Sequence, residues 1–314
     1  MKIILNMILD MKNRINNFFK ILVSSFLGIL FLFLSLQEFD YNLFKKFLIN
    51  INFFFLIASV LLLILLIFLR AVRWNFLFDS PIEINNLYKS QLVGYMGNNI
   101  LPLRLGELLK AYFLEKKTKI PKFKIIGTIV FERVLDLLGL IILFVILFNF
   151  SIFNIFPYQY VKIIFLILIF TTFLIILSFN INRIKSLRFK KKYFLFLNDI
   201  IDGFSSINRK NFLFSVVYTL LIWISYIIVV YLVQESMSLN LSFIQCIIIL
   251  LISSIALMVP SLPGNIGTFE GSIVYTLLLF GIEDGFGFAF ILHAVSFIPY
   301  TLLGLFYLIE QRNS

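Results

Sequence analysis

Long apolar stretches without charge dominate this sequence and restrict what it can fold into. Several of them reach the roughly 20 residues that an α-helix needs to cross the hydrocarbon core of a bilayer. They cover residues 47–69, 137–161, 163–182, 211–234, 236–269 and 285–309. The chain as a whole is 61% hydrophobic and 18% aromatic, far above the composition of a soluble domain. The sequence therefore predicts an all-α, polytopic membrane protein.

Positive charge is distributed unevenly along the chain, whose formal net charge is +11. We expect about six full crossings, at residues 18–36, 48–69, 123–149, 161–179, 211–233 and 286–309. With a cytoplasmic N-terminus, the segments 1–20, 70–124 and 180–210 and the C-terminus hold 23 Lys and Arg on or at the edge of the cytoplasmic side. The other side has only Lys45, Lys46 and Lys162, and Arg133 lies inside a crossing. This asymmetry fits the positive-inside rule. It predicts that both termini lie in the cytoplasm, and it favours a topology signal over nucleic-acid binding for the basic run 183–192.

Residues 80–116 do not have the pattern of one crossing. The letters SPIE at 80–83 are typical of a capping box, which predicts a helix that begins near residue 81. A second helix, LGELLKAYFLEKK, follows at 105–117. The residues expected to end the first helix and prevent its continuation are Gly94, Asn98, Asn99 and Pro102. Only 90–103 is free of charge, too short to cross, so we expect a re-entrant hairpin that opens to the cytoplasm.

A similar interruption occurs in the C-terminal half. An apolar helix over 242–259 stops at PSLPGNIG (260–267), before a second helix, TFEGSIVYTLLLFG. The breakers in this stretch are Pro260, Pro263, Gly264 and Gly267. Each half therefore has the order span, span, broken hairpin, span, over 18–149 and 161–309. Three crossings per half predict an inverted repeat within a single integral membrane domain, 1–314, and paired interruptions of this kind indicate a transporter's binding site. Two closely packed full spans in place of either hairpin give the same topology, so charge counting does not separate these alternatives.

Few charged residues lie within or beside the apolar segments. They are Arg104, Glu107, Glu132, Arg133, Asp136 and Glu270. Each charge at a helix centre costs about 2.5–3.5 kcal/mol, so such groups face a cavity or one another. Arg104 follows the first break, where the free N–H groups of a helix start and a guanidinium both favour phosphate. We therefore predict a headgroup site at Arg104, with Asn98, Asn99 and Arg133 as further candidates.

The carboxylates have two interpretations. Glu107, Glu132, Asp136 and Glu270 are either partners in structural ion pairs or groups that couple ion movement to transport. Arg70, Arg73 and Trp74 directly follow the 48–69 span and are expected as interfacial anchors, with contact to lipid headgroups as the second option. We expect the amphipathic segment 193–208 to lie along the cytoplasmic surface.

The lone Cys246 and the lone His293 predict neither a disulfide nor a structural metal site, and His293 is either a hydrogen-bonded interior residue or a proton relay.

Three motifs, taken in order, resemble a known family. They are N-N-x-x-P-x-R-x-G-E at 98–107, E-R-x-x-D at 132–136 and P-S-x-P-G-x-x-G-x-x-E at 260–270. Together they look like the flippase-like transmembrane domain of lysylphosphatidylglycerol synthases and of its stand-alone relatives, over about residues 20–309. The resemblance implies an inner-membrane domain that translocates a modified or anionic phospholipid or a polyprenyl-linked lipid. It also implies that the motif residues, Gly106 among them, form the site.

The leading hypothesis is thus a lipid flippase whose partners are membrane lipids, together with a candidate lipid-modifying enzyme. We expect no cofactor and no metal, and a transporter rather than an enzyme, because no soluble stretch long enough for an aminoacyl-transferase domain is present. No P-loop occurs, so energy would come from a gradient, a partner or the imbalance of the lipid itself. The alternatives are a membrane-embedded glycosyl or phosphoryl transferase that uses Glu132 and Asp136, and a non-transporting scaffold.

Overall fold

A computed structural model describes most of the chain. The described residues are 26, 29–34, 36, 41, 45, 49–101, 104–148, 170–176, 195–258, 261–283 and 285–313. Helices with described bounds are α1 (Phe53–Asn75), α2 (Ile84–Ile100), α3 (Gly106–Thr118), α4 (Lys122–Phe148), α5 (Leu195–Phe204), α6 (Arg209–Met237), α7 (Phe243–Ala256), α8 (Thr268–Leu279) and α9 (Phe286–Asn313). No strand occurs within these ranges, which confirms the all-α prediction.

Three of the described helices are long and apolar enough to cross a membrane. They are Phe53–Asn75, Arg209–Met237 and Phe286–Gln311. The expected crossings at 18–36 and 161–179 lie largely outside the described residues, as does the basic run 183–192. The number of full crossings and the inverted repeat therefore remain predictions.

Helix α1 separates its two faces in the way expected at a lipid boundary. Its exposed side chains recur every three or four residues: Phe54, Ile57, Leu61, Leu65 and Phe68. Its opposite face is buried and packs along α6, through residues that include Leu63, Leu66 and Ile67. An exposed face this apolar suits hydrocarbon rather than water. Asn52 is the N-cap of this helix, and its side chain accepts a hydrogen bond from the amide of Phe54 at 3.0 Å.

The first interrupted segment is a helical hairpin formed by α2 and α3, which pack against each other. Two local expectations about α2 are wrong. The helix begins at Ile84 and not near residue 81, because the predicted capping box does not form: Glu83 is the N-cap and makes no side-chain capping bond. It also continues through Gly94, Asn98 and Asn99 and ends at Ile100, followed by an extended residue. Helix packing thus overrides the glycine and asparagine signals.

The second interrupted segment joins α7 to α8, which also pack together. Ser242 and Gln245 form a capping box at the start of α7. After the helix ends at Ala256, Pro263–Asn265 forms one turn of 3₁₀ helix, and Gly264, Asn265 and Gly267 all have positive φ, at 70°, 59° and 87°. These left-handed residues reverse the chain before α8.

Helix α9 joins the two hairpins into one body. It packs along α2 of the first hairpin and against α8 of the second. Pro299 lies inside α9 and removes one backbone hydrogen bond there. The short helix α5 packs on α4, where Gly203 lies so close to the backbone of Lys124 that a Cβ would not fit. This docking places part of the amphipathic segment against the bundle.

Candidate functional site

The breaks of the two hairpins line the same small cavity. Its volume is about 110 Å³, and its lining residues are Asn98, Leu101, Arg104, Met258, Ser261, Leu262 and Asn265. A buried water needs about 10–15 Å³ of such space, so the cavity has room for several waters or for a small polar group. The first three lining residues come from the first break and the other four from the second. Pro102 and Pro260 lie outside the described residues, so their places at this cavity are not defined.

Arg104 is the charged residue of the cavity lining. It does not lie in the first turn of α3, where the sequence placed it, but two residues before Gly106, with a left-handed φ of 56°. A side chain in this conformation costs about 1–2 kcal/mol relative to glycine. The guanidinium is exposed and makes no ion pair with any acidic group that the structure describes. A strained, unpaired cation at a cavity is typical of a functional residue.

The two asparagines of the first break have different environments. Asn98 lines the cavity, and its buried Oδ1 atom has no hydrogen-bond partner among the described residues. Asn99 instead donates its Nδ2 hydrogens to the carbonyl of Phe297 at 3.2 Å and to the hydroxyl of Thr301 at 2.9 Å, both in α9. Asn98 is therefore available to a ligand, whereas the amide nitrogen of Asn99 fixes the break against α9.

A buried cluster of charges lies behind the first break, and Glu132 of α4 is its centre. The Glu132 carboxylate, which is 0% exposed, accepts hydrogen bonds from Lys110 at 2.6 Å, Arg73 at 3.2 Å and Gln91 at 3.0 Å. These partners come from α3, α1 and α2. One carboxylate thus ties four helices together, which favours the structural interpretation of Glu132.

Asp136 lies one turn further along α4 and extends the same cluster. Its carboxylate oxygens are 2.8 Å from an Arg73 nitrogen and 3.3 Å from an Arg70 nitrogen, and the Arg133 guanidinium donates to it at 2.9 Å. Arg70 also donates to the Tyr226 hydroxyl at 3.3 Å. Asp136 therefore connects α1 to α4 within the interior.

The expectation that Arg70, Arg73 and Trp74 anchor the chain at the membrane interface is wrong. Arg73 and Trp74 are 0% exposed and Arg70 is 6% exposed. The Lys110 ammonium lies 3.9 Å from the centre of the Trp74 ring, a cation–π contact that adds to its pairing with Glu132. These residues are internal because their side chains bond to α4, Arg73 to Glu132 and Trp74 to Thr128.

Arg133 is the member of the cluster that reaches the surface. Its side chain is 43% exposed, and it donates to Glu107 of α3 at 2.6 Å as well as to Asp136. Arg104 lies within electrostatic range of both Arg133 and Glu107. The cluster thus has a buried layer (Arg70, Arg73, Lys110, Glu132 and Asp136) and a mouth layer (Arg104, Glu107 and Arg133), which we use as names below.

Glycines let the arms of the first hairpin come into backbone contact. A Cβ on Gly106 would collide with the carbonyl oxygen of Gly94 and the amide of Asn98, and one on Gly97 would lie 2.7 Å from the Gly106 Cα. A Cβ on Gly94 would lie 2.9 Å from the Lys110 Cβ. Gly106 is therefore a close-packing residue at the start of α3, and this contact brings Lys110 to Glu132.

The second hairpin has a different polar pair. Glu270 accepts the amide hydrogen of Gly267 at 2.7 Å, which caps α8, and its other oxygen is 2.5 Å from Nδ1 of His293 in α9. Both side chains are largely buried, at 6% and 13% exposure. Among the described residues, Glu270 makes no ion pair with Arg104 or Arg133. His293 is a hydrogen-bonded interior residue.

Comparison with known proteins identifies the family. The family model for the lysylphosphatidylglycerol synthase TM region matches residues 17–304. The chain belongs to this family. With its long apolar helices, it is a multi-pass membrane protein.

Relatives of the lysylphosphatidylglycerol synthase TM region family support the assignment. The chain is 28% identical to the UPF0104 membrane protein MJ1078 of Methanocaldococcus jannaschii over 68% of its own length and 94% of that protein. It is 21% identical to the UPF0104 membrane protein PH1989 of Pyrococcus horikoshii, over 82% and 88% of the two chains. A second Methanocaldococcus jannaschii protein, MJ1595, is 36% identical over 29% of each chain. No solved structure matches significantly.

Local sequence patterns did not indicate several residues of the cluster. Those missed as cluster members are Arg70, Arg73, Gln91, Lys110, Thr219 and Tyr226. One signal was present in this member of the family: Glu132, Arg133 and Asp136 sum to one negative charge, so their burial requires a cation from another helix. Which helix supplies it depends on packing, which the motif does not contain.

Proposed function

We propose that the protein translocates a lipid whose phosphate headgroup occupies the cavity between the two hairpin breaks. The observation that carries this proposal is the cavity lining, because residues of both breaks, Arg104 among them, contribute to it. Irregular backbone is tolerated within a membrane where it lines a cavity or is buried in protein. Paired interruptions of this kind form the binding sites of many transporters.

The mouth layer supports headgroup binding by this cavity. Arg104 is unpaired among the described side chains, and Arg133 is partly exposed beside it. A guanidinium binds phosphate oxygens through a planar fork of donors. Asn98 adds an acceptor for a hydroxyl of the headgroup, while the acyl chains would remain in the bilayer. The acidic residues Glu107 and Asp136 then serve to orient Arg133.

The same contacts favour a translocase over a membrane transferase. A transferase of the kind considered above needs Glu132 and Asp136 as a base or as metal ligands. Glu132 is fully buried and already accepts bonds from Lys110, Arg73 and Gln91, and Asp136 faces three arginines. Carboxylates neutralised in this way are poor bases.

Translocation can be tested with purified protein in liposomes that contain acyl-labelled fluorescent phosphatidylglycerol and are quenched from outside. We expect the wild-type chain to expose inner-leaflet lipid to the quencher, and Arg104→Ala to slow this exposure by about 10- to 100-fold, the equivalent of a lost hydrogen bond to a charged group. The matched control is Arg209→Ala, since Arg209 is an exposed arginine at the start of α6. It should retain the wild-type rate.

Two other outcomes identify the alternatives. Turnover of a lipid-linked sugar or phosphate, without lipid movement, would support the transferase. A folded wild-type protein that is inert in both assays would support the scaffold, and equal rates in Arg104→Ala and wild type would remove the proposed site.

A further inference from the structure

The charges around the proposed site do not balance. Five cations, Arg70, Arg73, Arg104, Lys110 and Arg133, lie together with three carboxylates, Glu107, Glu132 and Asp136. Within the described part of the chain, the cluster therefore has an excess of two positive charges. Uncompensated charge is costly in a membrane interior, so a site of this kind favours a ligand of opposite charge.

Half of this excess lies in the mouth layer, where two cations face one carboxylate within reach of a ligand. In the buried layer, Arg70, Arg73 and Lys110 are 0–6% exposed and bound to Glu132 and Asp136. Arg104 is exposed at the cavity, and Arg133 is 43% exposed, with a buried Nε atom that has no hydrogen-bond partner among the described residues. A ligand can thus reach two cations without dissolving the buried layer.

From this arrangement we infer that the site selects a lipid whose headgroup has two negative charges: a terminal phosphate monoester or a diphosphate. A phosphate monoester carries about −1.5 to −2 at pH 7, whereas a phosphodiester such as phosphatidylglycerol carries about −1. A headgroup with two negative charges neutralises the cluster, and a headgroup with one leaves half of the positive excess. A cationic aminoacylated lipid increases the positive excess. This inference rests on the proposed function and specifies its substrate class.

The cavity size agrees with this class of headgroup. About 110 Å³ between the breaks accommodates a phosphate group and the few waters around it. The buried Oδ1 of Asn98 can accept from a protonated phosphate oxygen or from one of these waters. A large glycan would have to remain outside this space.

The test is equilibrium binding to the full-length protein in nanodiscs, measured with dioleoyl phosphatidic acid and dioleoyl phosphatidylmethanol. These lipids differ by one methyl group, which blocks the second ionisation of the phosphate. We expect phosphatidic acid to bind at least about tenfold more tightly at pH 7.5, the size of one added charge-assisted contact. A prenyl diphosphate should bind as tightly as phosphatidic acid, and lysyl-phosphatidylglycerol most weakly.

Variants of the mouth layer should change the preference for phosphatidic acid over phosphatidylmethanol in opposite directions. Arg104→Ala removes one positive charge and should reduce the preference to about threefold or less. Glu107→Gln adds one to the excess and releases Arg133, so it should tighten phosphatidic acid binding. Arg209→Ala should leave both affinities unchanged. Each variant is first checked for the wild-type unfolding temperature, so that misfolded protein is not scored.

The results test the substrate class independently of the transport activity. Equal affinity for phosphatidic acid and phosphatidylmethanol would overturn the inference, even if the liposome assay shows translocation. Inorganic pyrophosphate binding as tightly as the lipids would also overturn it, because the site would then be one for a soluble anion. A tenfold preference that depends on Arg104 supports it; if translocation is absent as well, the proposed function fails and the binding site stands.

Discussion

The two interrupted hairpins perform the same chain reversal with different chemistry. In the first, glycines hold α2 and α3 in backbone contact, charges surround the break, and Arg104, which is not a glycine, has the left-handed conformation. In the second, Gly264, Asn265 and Gly267 supply the reversal, and the polar groups form a short Glu270–His293 pair. The first hairpin thus supplies charge to the shared cavity, and the second supplies backbone shape. We therefore expect substitutions in the first hairpin to affect stability and ligand binding more strongly.

The largest expected effect is at the buried layer. Glu132→Ala leaves the buried Lys110 without the carboxylate it pairs with and removes one of the two that face Arg73, so we expect it to lower the unfolding free energy by about 3–5 kcal/mol. Chemical unfolding in detergent micelles measures this change. Glu283→Ala is the control, since Glu283 is exposed and should change stability by less than about 0.5 kcal/mol. Partial recovery in Lys110→Met with Glu132→Gln would attribute the loss to unpaired charge, and a stable Glu132→Ala protein would contradict the cluster.

A smaller loss is expected at the contact between the arms of the first hairpin. Gly106→Ala places a methyl group against the backbone of Gly94 and Asn98, so it should destabilise by about 1–3 kcal/mol. Its counterpart in the second hairpin is Gly271→Ala in α8, where the nearest atoms are the carbonyl oxygen and Cβ of Phe31, at 3.2 and 3.3 Å. That change should cost less than about 1 kcal/mol, because alanine also favours the helix. The same unfolding assay compares the two, and equal losses would contradict the closer backbone contact at Gly106.

A substitution at Arg104 should raise the unfolding free energy, in contrast to the losses above. Arg104→Gly relieves the left-handed strain and should raise the unfolding free energy by about 1 kcal/mol, while lipid exposure in liposomes is lost. Stabilisation together with inactivation would show that the arginine is retained for function at the expense of the fold. Arg104→Ala retains the strain and separates the two effects. A destabilised Arg104→Gly protein would indicate a structural role instead.

The smallest expected change is at the cap of α8. Glu270→Ala removes the acceptor for the Gly267 amide and the partner of His293, at a cost of about 1 kcal/mol. Ser272→Ala is a matched control in the same helix, since the Ser272 hydroxyl donates to the backbone carbonyl of Phe269 and not to the cap. Amide hydrogen exchange in the first turn of α8 measures directly whether this capping hydrogen bond is present. Unchanged exchange in Glu270→Ala would exclude this capping role.

Sequence patterns predict the membrane helices and the chain reversals, whereas tertiary packing sets the bounds of α2. Apolar runs indicated membrane helices because length and hydropathy are local properties, and the chain reversals before α3 and α8 followed the breakers. Local signals did not predict the start of α2 or its continuation through Gly94, because contacts with α3 and α9 outweigh a cap or a glycine.

The charge cluster was the least predictable part. Arg73 and Glu132 are 59 residues apart in sequence, and nothing within either segment specifies that the Arg73 side chain of α1 reaches Glu132 of α4. The cations Arg70, Arg73 and Lys110 were also counted as cytoplasmic in the topology argument, yet they are buried among helices. The overall asymmetry persists without them, since most Lys and Arg remain on the same side of the expected crossings.

The most direct test of the central claim is a cross-link between the two breaks. Cys246 is the only cysteine, so Leu101→Cys and Ser261→Cys can be introduced in a Cys246→Ala background, since both positions line the cavity. A short bifunctional thiol reagent should join them as readily as it joins Lys89→Cys to Glu310→Cys, a pair that replaces an ion pair of 2.8 Å. Added phosphatidic acid should slow the first reaction and leave the second unchanged. If the second pair reacts and the first does not, the breaks do not share a cavity, and the account is wrong.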